Sequence, residues 1–200
     1  MKVNCNNEGI EKTSQIIKEG GVVVFPTDTV YGIGCNPYNM NSVKKIYEIK
    51  SRTKVKSLPI LAYSLDIVKG ITLIDGFTEK IIKKYWPGPL TLILKLTDQK
   101  LKESLNLQNK IAIRIPDSEC TLKLLEKCKL LVGTSANISG NSSYTNPDEC
   151  IKNIRNYDIF LNGGTITSKG ESTIIEIENE EIKIIREGEL KIEDIMVWWI

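Results

Sequence analysis

The chain has 200 residues, of which 41% are hydrophobic and 26% charged, and a net charge of +2, a composition typical of one globular domain with a buried core. No apolar run approaches the roughly 18 residues of a membrane span, and residues 1–6 lack the pattern of a signal peptide. Histidine is absent, which excludes Ser-His-Asp and Cys-His catalysis and most zinc sites. Any chemistry must use substrate positioning, cations, hydroxyl groups or a metal that the substrate carries.

The five cysteines are an odd number and include no CxxC spacing. This pattern predicts reduced thiols in a cytoplasmic protein rather than a disulfide framework. Cys120 and Cys128 are separated by a helical interval, so we expect both in the core of the protein.

In the first half of the chain, apolar spacing and stop signals predict alternating helices and strands. Helices are predicted over 8–20, 41–50, 65–71 and 77–86, and strands over 22–25 and 58–62. Gly20 and Gly21 supply the C-terminal stop of the first helix, and Pro87 ends the fourth. The segment WPGPL (86–90) is interpreted as a rigid structural turn that orients the strand after it.

The second half of the chain reads as strands with two helices between them. Strands are predicted over 90–96, 111–116, 129–133 and 158–164, helices over 118–128 and 146–154, and a hairpin over 172–188 with a polar turn at 178–180. Some strands follow one another directly, so the pattern favours an α+β or α/β fold with a mixed sheet and packed helices. We expect a single domain over 1–200, with its core over about 8–190. The apolar tail over 191–200 is predicted to dock on the domain, with a dimer contact as the alternative.

Four predicted strands change abruptly into small, hydroxyl-bearing or cationic residues. These stretches are VVVF-PTDTVYG, IAIR-IP, LLVG-TSANISGNSSYT and ITSKGES-TIIEI. Strand ends of such sheets meet at one crevice, where ligands bind. A fifth stretch, KSRTKVKS (50–57), follows a helix and carries cations suited to a polyphosphate, although a solvated basic loop is the alternative.

The other polar stretches also leave two interpretations open. The small residues of TSANISGNSS would let backbone N–H groups approach phosphate oxygens, or they form a surface loop. Only four of the 27 basic residues are arginines, so an arginine retained here suggests that a planar, bidentate donor is needed. Arg114 lies among isoleucines and should have a specific partner, while Arg186 ends the hairpin and could be a simple surface cation.

Taken together, the motifs FPTDTVYGIG, Lys50-Ser-Arg52, KSLPIL, WPGPLT, RIP, TSANISG, STII and REG resemble the YrdC-like family of threonylcarbamoyl-adenylate synthases. The resemblance covers nearly all of residues 10–190 and implies a YrdC/RibB-like fold with an open concave ligand-binding face. The chain resembles the short, single-domain form of the family. Two residues of the expected phosphate loop depart from the common pattern, Thr53 where many members have proline and Ser57 where proline or glycine is frequent.

The resemblance implies a nucleotidyltransferase that converts L-threonine, bicarbonate or CO₂, and ATP with its Mg²⁺ into threonylcarbamoyl-AMP and pyrophosphate. The product would serve N6-threonylcarbamoyladenosine formation at position 37 of tRNA, completed by a separate tRNA threonylcarbamoyl transferase. Weak RNA binding is compatible with this role, and no membrane partner is expected. Mg²⁺ would come with the ATP, with no protein side chains as dedicated ligands.

The resemblance also implies roles for individual residues. Those expected to be catalytic are Lys50, Arg52, Ser135 and Asn137. The ATP-binding set adds Lys54, Ser143 and Arg186. The threonine pocket is expected to comprise Thr27, Thr29, Tyr31, Arg114 and Ser172. Asp28 is either the partner of the threonine ammonium group or a structural carboxylate that fixes the turn.

The competing function class is an RNA-binding module of the same fold without catalytic activity. A basic concave face could hold RNA. The net charge of only +2 and the location of the cations at motif positions, rather than along a stripe, favour the synthase.

Overall fold

A computed structural model describes residues 1–53, 57–178 and 180–196. Within this part of the chain the helices are α1 (Asn7–Lys18), α2 (Met40–Ile49), α3 (Leu65–Ile71), α4 (Gly76–Tyr85), α5 (Gln99–Ser104), α6 (Glu119–Cys128), α7 (Pro147–Asn153) and α8 (Ile192–Met196). The strands are β1 (Lys2–Asn4), β2 (Val23–Phe25), β3 (Gly32–Gly34), β4 (Ile60–Ala62), β5 (Thr72–Leu73), β6 (Leu90–Leu96), β7 (Lys110–Arg114), β8 (Leu130–Val132), β9 (Thr134–Ser135), β10 (Ile159–Asn162), β11 (Thr173–Glu178) and β12 (Glu181–Arg186).

Most helices begin at a polar residue whose side chain accepts a hydrogen bond from a backbone N–H of the first turn. The residues with this role are Asn6, Asn39, Asp75, Asp98, Ser118 and Asn146. Such caps satisfy N–H groups that have no partner inside the helix. Because the capping residues are local in sequence, the starts of these helices follow closely from the amino-acid pattern.

The smaller sheet has five strands in the order β1-β10-β2-β3-β9. Strand β10 is parallel to both β1 and β2, whereas β2 and β3 are antiparallel because the turn after Phe25 folds the chain back on itself. Gly34 on β3 is packed so closely that a Cβ atom there would lie 1.8 Å from the carbonyl oxygen of Val132. This close approach requires glycine at that position.

The larger sheet has the order β12-β11-β6-β7-β4-β8, with β5 paired to β6. Strands β11 and β12 form the predicted hairpin, although Asn179 in its turn is outside the described residues. The predicted fold class, α+β with mixed strand pairing and packed helices, is confirmed. The expectation of one sheet is wrong, because the short strands β3 and β9, which looked like loop sequence, complete a second sheet.

The main core lies between the sheets and the helices, and a second apolar cluster lies between α1, α6 and the smaller sheet. Ile195, within the predicted apolar tail over 191–200, is buried and packs into the main core. This part of the tail docks on the domain as expected. Residues 197–200 lie outside the described part of the chain.

The prediction that all five cysteines are reduced is wrong. Cys5 and Cys120 form a disulfide with their Cα atoms 5.9 Å apart, which joins the end of β1 to the start of α6. They are 115 residues apart in sequence, so no local spacing could have revealed the pair. Cys35, Cys128 and Cys150 are free thiols. Burial raises the pKa of Cys128 to about 11 and that of Cys150 to about 12, so both stay protonated at neutral pH.

Candidate active site

A cleft of about 550 Å³ lies between the two sheets. Its walls come from the PTDT turn, the end of α2, strands β6 and β7, the loop after β9 and the β11–β12 hairpin. The stretches that the sequence predicted to converge therefore do so. Of the predicted site residues, those that line the cleft are Thr27, Thr29, Lys50, Arg52, Arg114, Ser135, Asn137, Ser172 and Arg186.

The PTDT turn is held by its own hydroxyl groups. Thr27 Oγ1 donates to the carbonyl oxygen of Val30 at 2.7 Å and accepts from the backbone N–H groups of Thr29 and Val30, each at 3.1 Å. The hydroxyl oxygens of Thr27 and Thr29 are 3.0 Å apart. These bonds explain why the turn needs threonines, since they fix its backbone before any ligand is present.

Arg114 connects this turn to the larger sheet. Its guanidinium is buried and donates to the carbonyl oxygen of Gly88 at 2.8 Å, to Thr29 Oγ1 at 3.0 Å and to Asp28 Oδ1. The second carboxylate oxygen of Asp28 is buried and has no partner among the described residues. Burial lowers the pKa of Arg114, and the adjacent Asp28 charge opposes that effect. Asp28 is therefore the counter-ion of Arg114, a structural role that is exerted through a side chain rather than through backbone N–H groups.

Lys50 is the most deeply buried cation of the cleft, with 1% of its surface exposed. The ammonium group donates to the carbonyl oxygen of Ser135, to the carbonyl oxygen of Asn137 at 2.9 Å and to Asn137 Oδ1 at 3.1 Å. An ammonium group has three hydrogens, so these bonds use its full donor capacity. Burial, followed by the repulsion of Arg52, lowers the pKa of Lys50 to about 8. In this structure Lys50 organises the loop at 135–137, and its charge acts on the cleft from behind that loop.

Arg52, two residues after Lys50, also lines the cleft. Its Nη2 atom donates to the carbonyl oxygen of Ser57 at 2.9 Å. Burial lowers the pKa of Arg52, and the charge of Arg186 acts in the same direction. Lys54, which the sequence placed in the same phosphate site, lies outside the described residues.

Ser135 and Asn137 form a hydrogen-bonded pair in the TSANISG loop. Ser135 Oγ donates to Asn137 Oδ1 at 2.6 Å, and Asn137 Nδ2 donates to the carbonyl oxygen of Asn141. The amide group thus links the start of the TSANISG loop to its end. Both residues line the cleft, which places their polar groups where phosphate or carbamate oxygens could bind.

On the opposite wall, Ser172 connects two further side chains. Its hydroxyl oxygen is 2.9 Å from that of Thr91 on β6, and it accepts from Arg186 Nη2 at 3.3 Å. Arg186 also donates to the Ser172 carbonyl oxygen, at 2.8 Å from Nη2. These contacts fix the orientation of the Arg186 guanidinium toward the cleft.

Comparison with known proteins assigns the chain to a family. Residues 15–188 match the Sua5/YciO/YrdC family model, described as telomere recombination. The chain belongs to this family. The resemblance seen in the sequence motifs is therefore confirmed.

Three relatives of the Sua5/YciO/YrdC family illustrate how the chain compares. A putative threonylcarbamoyl-AMP synthase of Methanocaldococcus jannaschii is 36% identical over 197 residues, which cover 94% of this chain and 91% of that protein. The threonylcarbamoyl-AMP synthase of Bacillus subtilis is 32% identical over 200 residues, or 97% of this chain and 57% of the relative. The crystal structure of Pyrococcus abyssi Sua5 complexed with L-threonine matches with a TM-score of 0.91 and 30% identity, over 98% of this chain and 60% of that one. The chain thus spans somewhat more than half the length of the last two.

Two predicted residues lie outside the cleft in this Sua5/YciO/YrdC chain. Tyr31 was expected in the pocket wall, but it is fully buried, stacks on Phe160 at 5.2 Å and donates to the carbonyl oxygen of Gly164 at 2.7 Å. Its neighbours Val30 and Gly32 line the cleft, so in extended backbone the side chain between them faces away. Ser143 does not line the cleft either and donates to Glu171.

Two cleft residues of this family member were missed by the sequence analysis. Glu171 lines the cleft and accepts hydrogen bonds from Ser143 and Arg186. Thr91 supports Ser172 from the next strand. Both lay inside quoted motifs, ITSKGES and WPGPLT. The signal that could have identified Glu171 was its position directly before Ser172, as an acidic residue in a stretch expected to bind anions.

No helix among the described residues is long and apolar enough to cross a membrane. Within the same residues, no group of three or more acidic or cysteine side chains is arranged to hold a metal ion.

Proposed function

We propose that this chain is a threonylcarbamoyl-AMP synthase, a nucleotidyltransferase that uses L-threonine, bicarbonate or CO₂, and ATP. The observation that carries the proposal is the cleft itself, which brings together cations from distant segments (Lys50, Arg52 and Arg186) and the polar side chains of Ser135 and Asn137. The related protein from Pyrococcus abyssi, crystallised with L-threonine, supports threonine as a substrate. The curated relatives named as synthases support the same reaction.

The chemistry needs no histidine. The threonine amine forms a C–N bond to CO₂ and releases a proton to solvent, giving a carbamate. A carbamate oxygen then bonds to the α-phosphorus of ATP as the bond to the bridging oxygen breaks, and pyrophosphate leaves with the electron pair. The protein contributes by aligning the two reactants and by stabilising the charge that develops on the leaving group.

The phosphate groups of ATP bind at the basic wall of the cleft, formed by Lys50, Arg52 and Arg186. Arg52 and Arg186 present planar guanidinium groups, which suit phosphate oxygens. Lys50 keeps Ser135 and Asn137 in position through its three hydrogen bonds and adds its charge at longer range. Mg²⁺ enters as part of the ATP substrate, where it offsets phosphate charge.

The threonine end belongs near the PTDT turn. Bonds within the protein use three of the five Arg114 N–H groups, so the guanidinium retains donors for a carboxylate or carbamate oxygen. Thr29 and Ser172 lie on the same walls. Selection of threonine over serine depends on one methyl group, worth about 1–3 kcal/mol in a fitted pocket.

The test is pyrophosphate release from MgATP, with threonine and bicarbonate omitted in turn. Release that requires both supports the adenylate synthase. Release that requires neither, or no release together with tight RNA binding, would replace the proposal with the RNA-binding module of the same fold.

Arg52→Ala provides the first residue-level test. We expect loss of turnover with the fold intact, because Arg52 lines the cleft and its guanidinium suits phosphate oxygens. Circular dichroism should match the wild type. An unfolded variant would contradict the assignment of Arg52 to the substrate.

The expected biological setting is the cytoplasm, where the product would pass to a tRNA threonylcarbamoyl transferase. The Cys5–Cys120 disulfide is unusual for that compartment, because cytosolic reductants keep most thiols reduced. Alkylation of the protein in freshly lysed cells, followed by mass spectrometry, measures how much of the pair is oxidised in the cell.

A further inference from the structure

Glu171 is the single carboxylate among the described residues that line the cleft. It shares that lining with the cations Lys50, Arg52 and Arg186. Its side chain is 29% exposed, so it is half-buried between the hairpin and the loop after β9. A negative charge is unexpected in a site for a polyphosphate, because it repels the ligand.

The carboxylate is held firmly at this position. Ser143 Oγ donates to Oε1, and Arg186 Nη1 donates to Oε2 in an ion pair. Burial opposes ionisation of Glu171, but the Ser143 hydrogen bond and the charge of Arg186 outweigh it and lower its pKa. Glu171 is therefore ionised at neutral pH.

The charge of Glu171 acts on two further cations of the cleft, Lys50 and Arg52. It raises the pKa of Lys50 and of Arg52, against the effect of burial at both sites. Both of its oxygens already accept hydrogen bonds from protein groups. The carboxylate therefore acts as a fixed counter-charge within the basic wall.

We propose that Glu171 determines which ionic form of the nucleotide the cleft accepts, favouring magnesium-complexed ATP over metal-free ATP. The inference rests on the proposed function. Metal-free ATP carries about four negative charges and MgATP about two. The repulsion from one fixed charge is proportional to the charge of the ligand. Glu171 therefore weakens the binding of metal-free ATP more than the binding of MgATP.

Removing the charge while keeping the shape tests the proposal. Isothermal titration measures the dissociation constants of ATP with excess EDTA and with excess Mg²⁺, at equal ionic strength. For Glu171→Gln we expect the ratio of the metal-free constant to the MgATP constant to fall on the order of tenfold, as a screened charge difference of two at close range implies. Metal-free ATP should bind more tightly relative to MgATP than it does in the wild type.

Two further variants separate charge from structure. Glu126→Gln removes one exposed negative charge from α6, outside the cleft lining, and should leave the ratio unchanged. Glu171→Asp keeps the charge, so it should not show the fall in the ratio, even if a displaced Arg186 weakens the binding of both forms of ATP. A purely structural role for Glu171 would weaken binding of metal-free ATP at least as much as that of MgATP in the glutamine variant, because the lost orientation of Arg186 affects the more highly charged form more. The ratio would then stay the same or rise, opposite to the expected fall.

The possible results have distinct meanings. A glutamine variant with an unchanged or higher ratio overturns the inference and leaves the proposed function standing. A glutamine variant with a larger dissociation constant for MgATP, and an unchanged one for metal-free ATP, overturns the inference in favour of direct metal coordination by Glu171. Wild-type protein that binds neither form overturns the proposed function, and the inference with it.

Discussion

Asp28→Asn tests whether the buried pair of Asp28 with Arg114 holds the amino-acid side of the cleft together. The substitution keeps an oxygen that can accept from Arg114 Nη2, but it removes the counter-ion. Arg114 is 5% exposed, so its charge would be left in the interior without compensation. The new amide nitrogen would occupy the place of Asp28 Oδ2, which is buried and has no partner.

The magnitude follows from this geometry. Removing one member of a buried ion pair costs about 3–5 kcal/mol, because the remaining charge is desolvated. For a chain of this size that corresponds to a fall in melting temperature of roughly 6–20 °C. Since total stabilities are about 5–15 kcal/mol, the variant should fold but remain close to its limit.

Thermal and urea denaturation of wild type, Asp28→Asn, Arg114→Met and the double variant form the assay. The double variant should be more stable than the sum of the single losses predicts, because removing both charges leaves neither one unpaired. A loss below about 1 kcal/mol for Asp28→Asn would refute the reasoning, since that is the range of exposed pairs. An unaltered stability together with weakened threonine binding would make Asp28 the ammonium partner instead.

Two further predictions concern the cleft and the disulfide. Because burial lowers the pKa of Lys50 to about 8 from 10.5, ATP affinity should fall as pH rises through about 8, where Lys50 loses a donor and its charge. Between pH 8 and 10.5 the unfolded chain keeps the Lys50 proton whereas the folded chain has lost it, so the free energy of unfolding should increase over this range. The variant Lys50→Met should show neither the loss of ATP affinity nor the gain in stability. Joint replacement of Cys5 and Cys120 by serine should lower the free energy of unfolding by about 4–5 kcal/mol, since the bond closes a loop of 115 residues. Urea denaturation measures this loss, and equal stability in oxidising buffer would mean that the two thiols are not joined.

The parts of the fold that the sequence predicted well are those governed by local patterns. The alternating residues of β6 and the capping Asn146 before Pro147 specify their elements within a few positions. The strands β3 and β9 could not be recognised in this way, because each has only two or three residues and exists through pairing with its neighbour. Their glycines and hydroxyl residues are typical of loops, so they were interpreted only as site sequence.

The candidate site shows the same division. Polar residues after strands indicated where the cleft would lie, and most of them do line it. The direction of each side chain was harder to predict, since it depends on strand parity, and Tyr31 lies one residue from two cleft residues yet faces the core. Arg114 and its partner Asp28 are 86 residues apart in sequence, and Lys50 and its partner Ser135 are 85 residues apart. No pattern within one segment encodes such pairings.

The attachment of Lys50 to the loop after β9 has a thermodynamic consequence for ligand binding. Lys50 contacts that loop in two ways. Its side chain donates hydrogen bonds to residues 135 and 137, and its backbone carbonyl oxygen accepts one from the Ser139 N–H at 2.9 Å. This is a non-covalent cross-link between two distant parts of the chain, and it is closed without any ligand. The loss of conformational entropy that ordering such a loop entails occurs during folding. A nucleotide that binds here therefore meets a loop already in place, and its affinity is not reduced by the cost of ordering that loop.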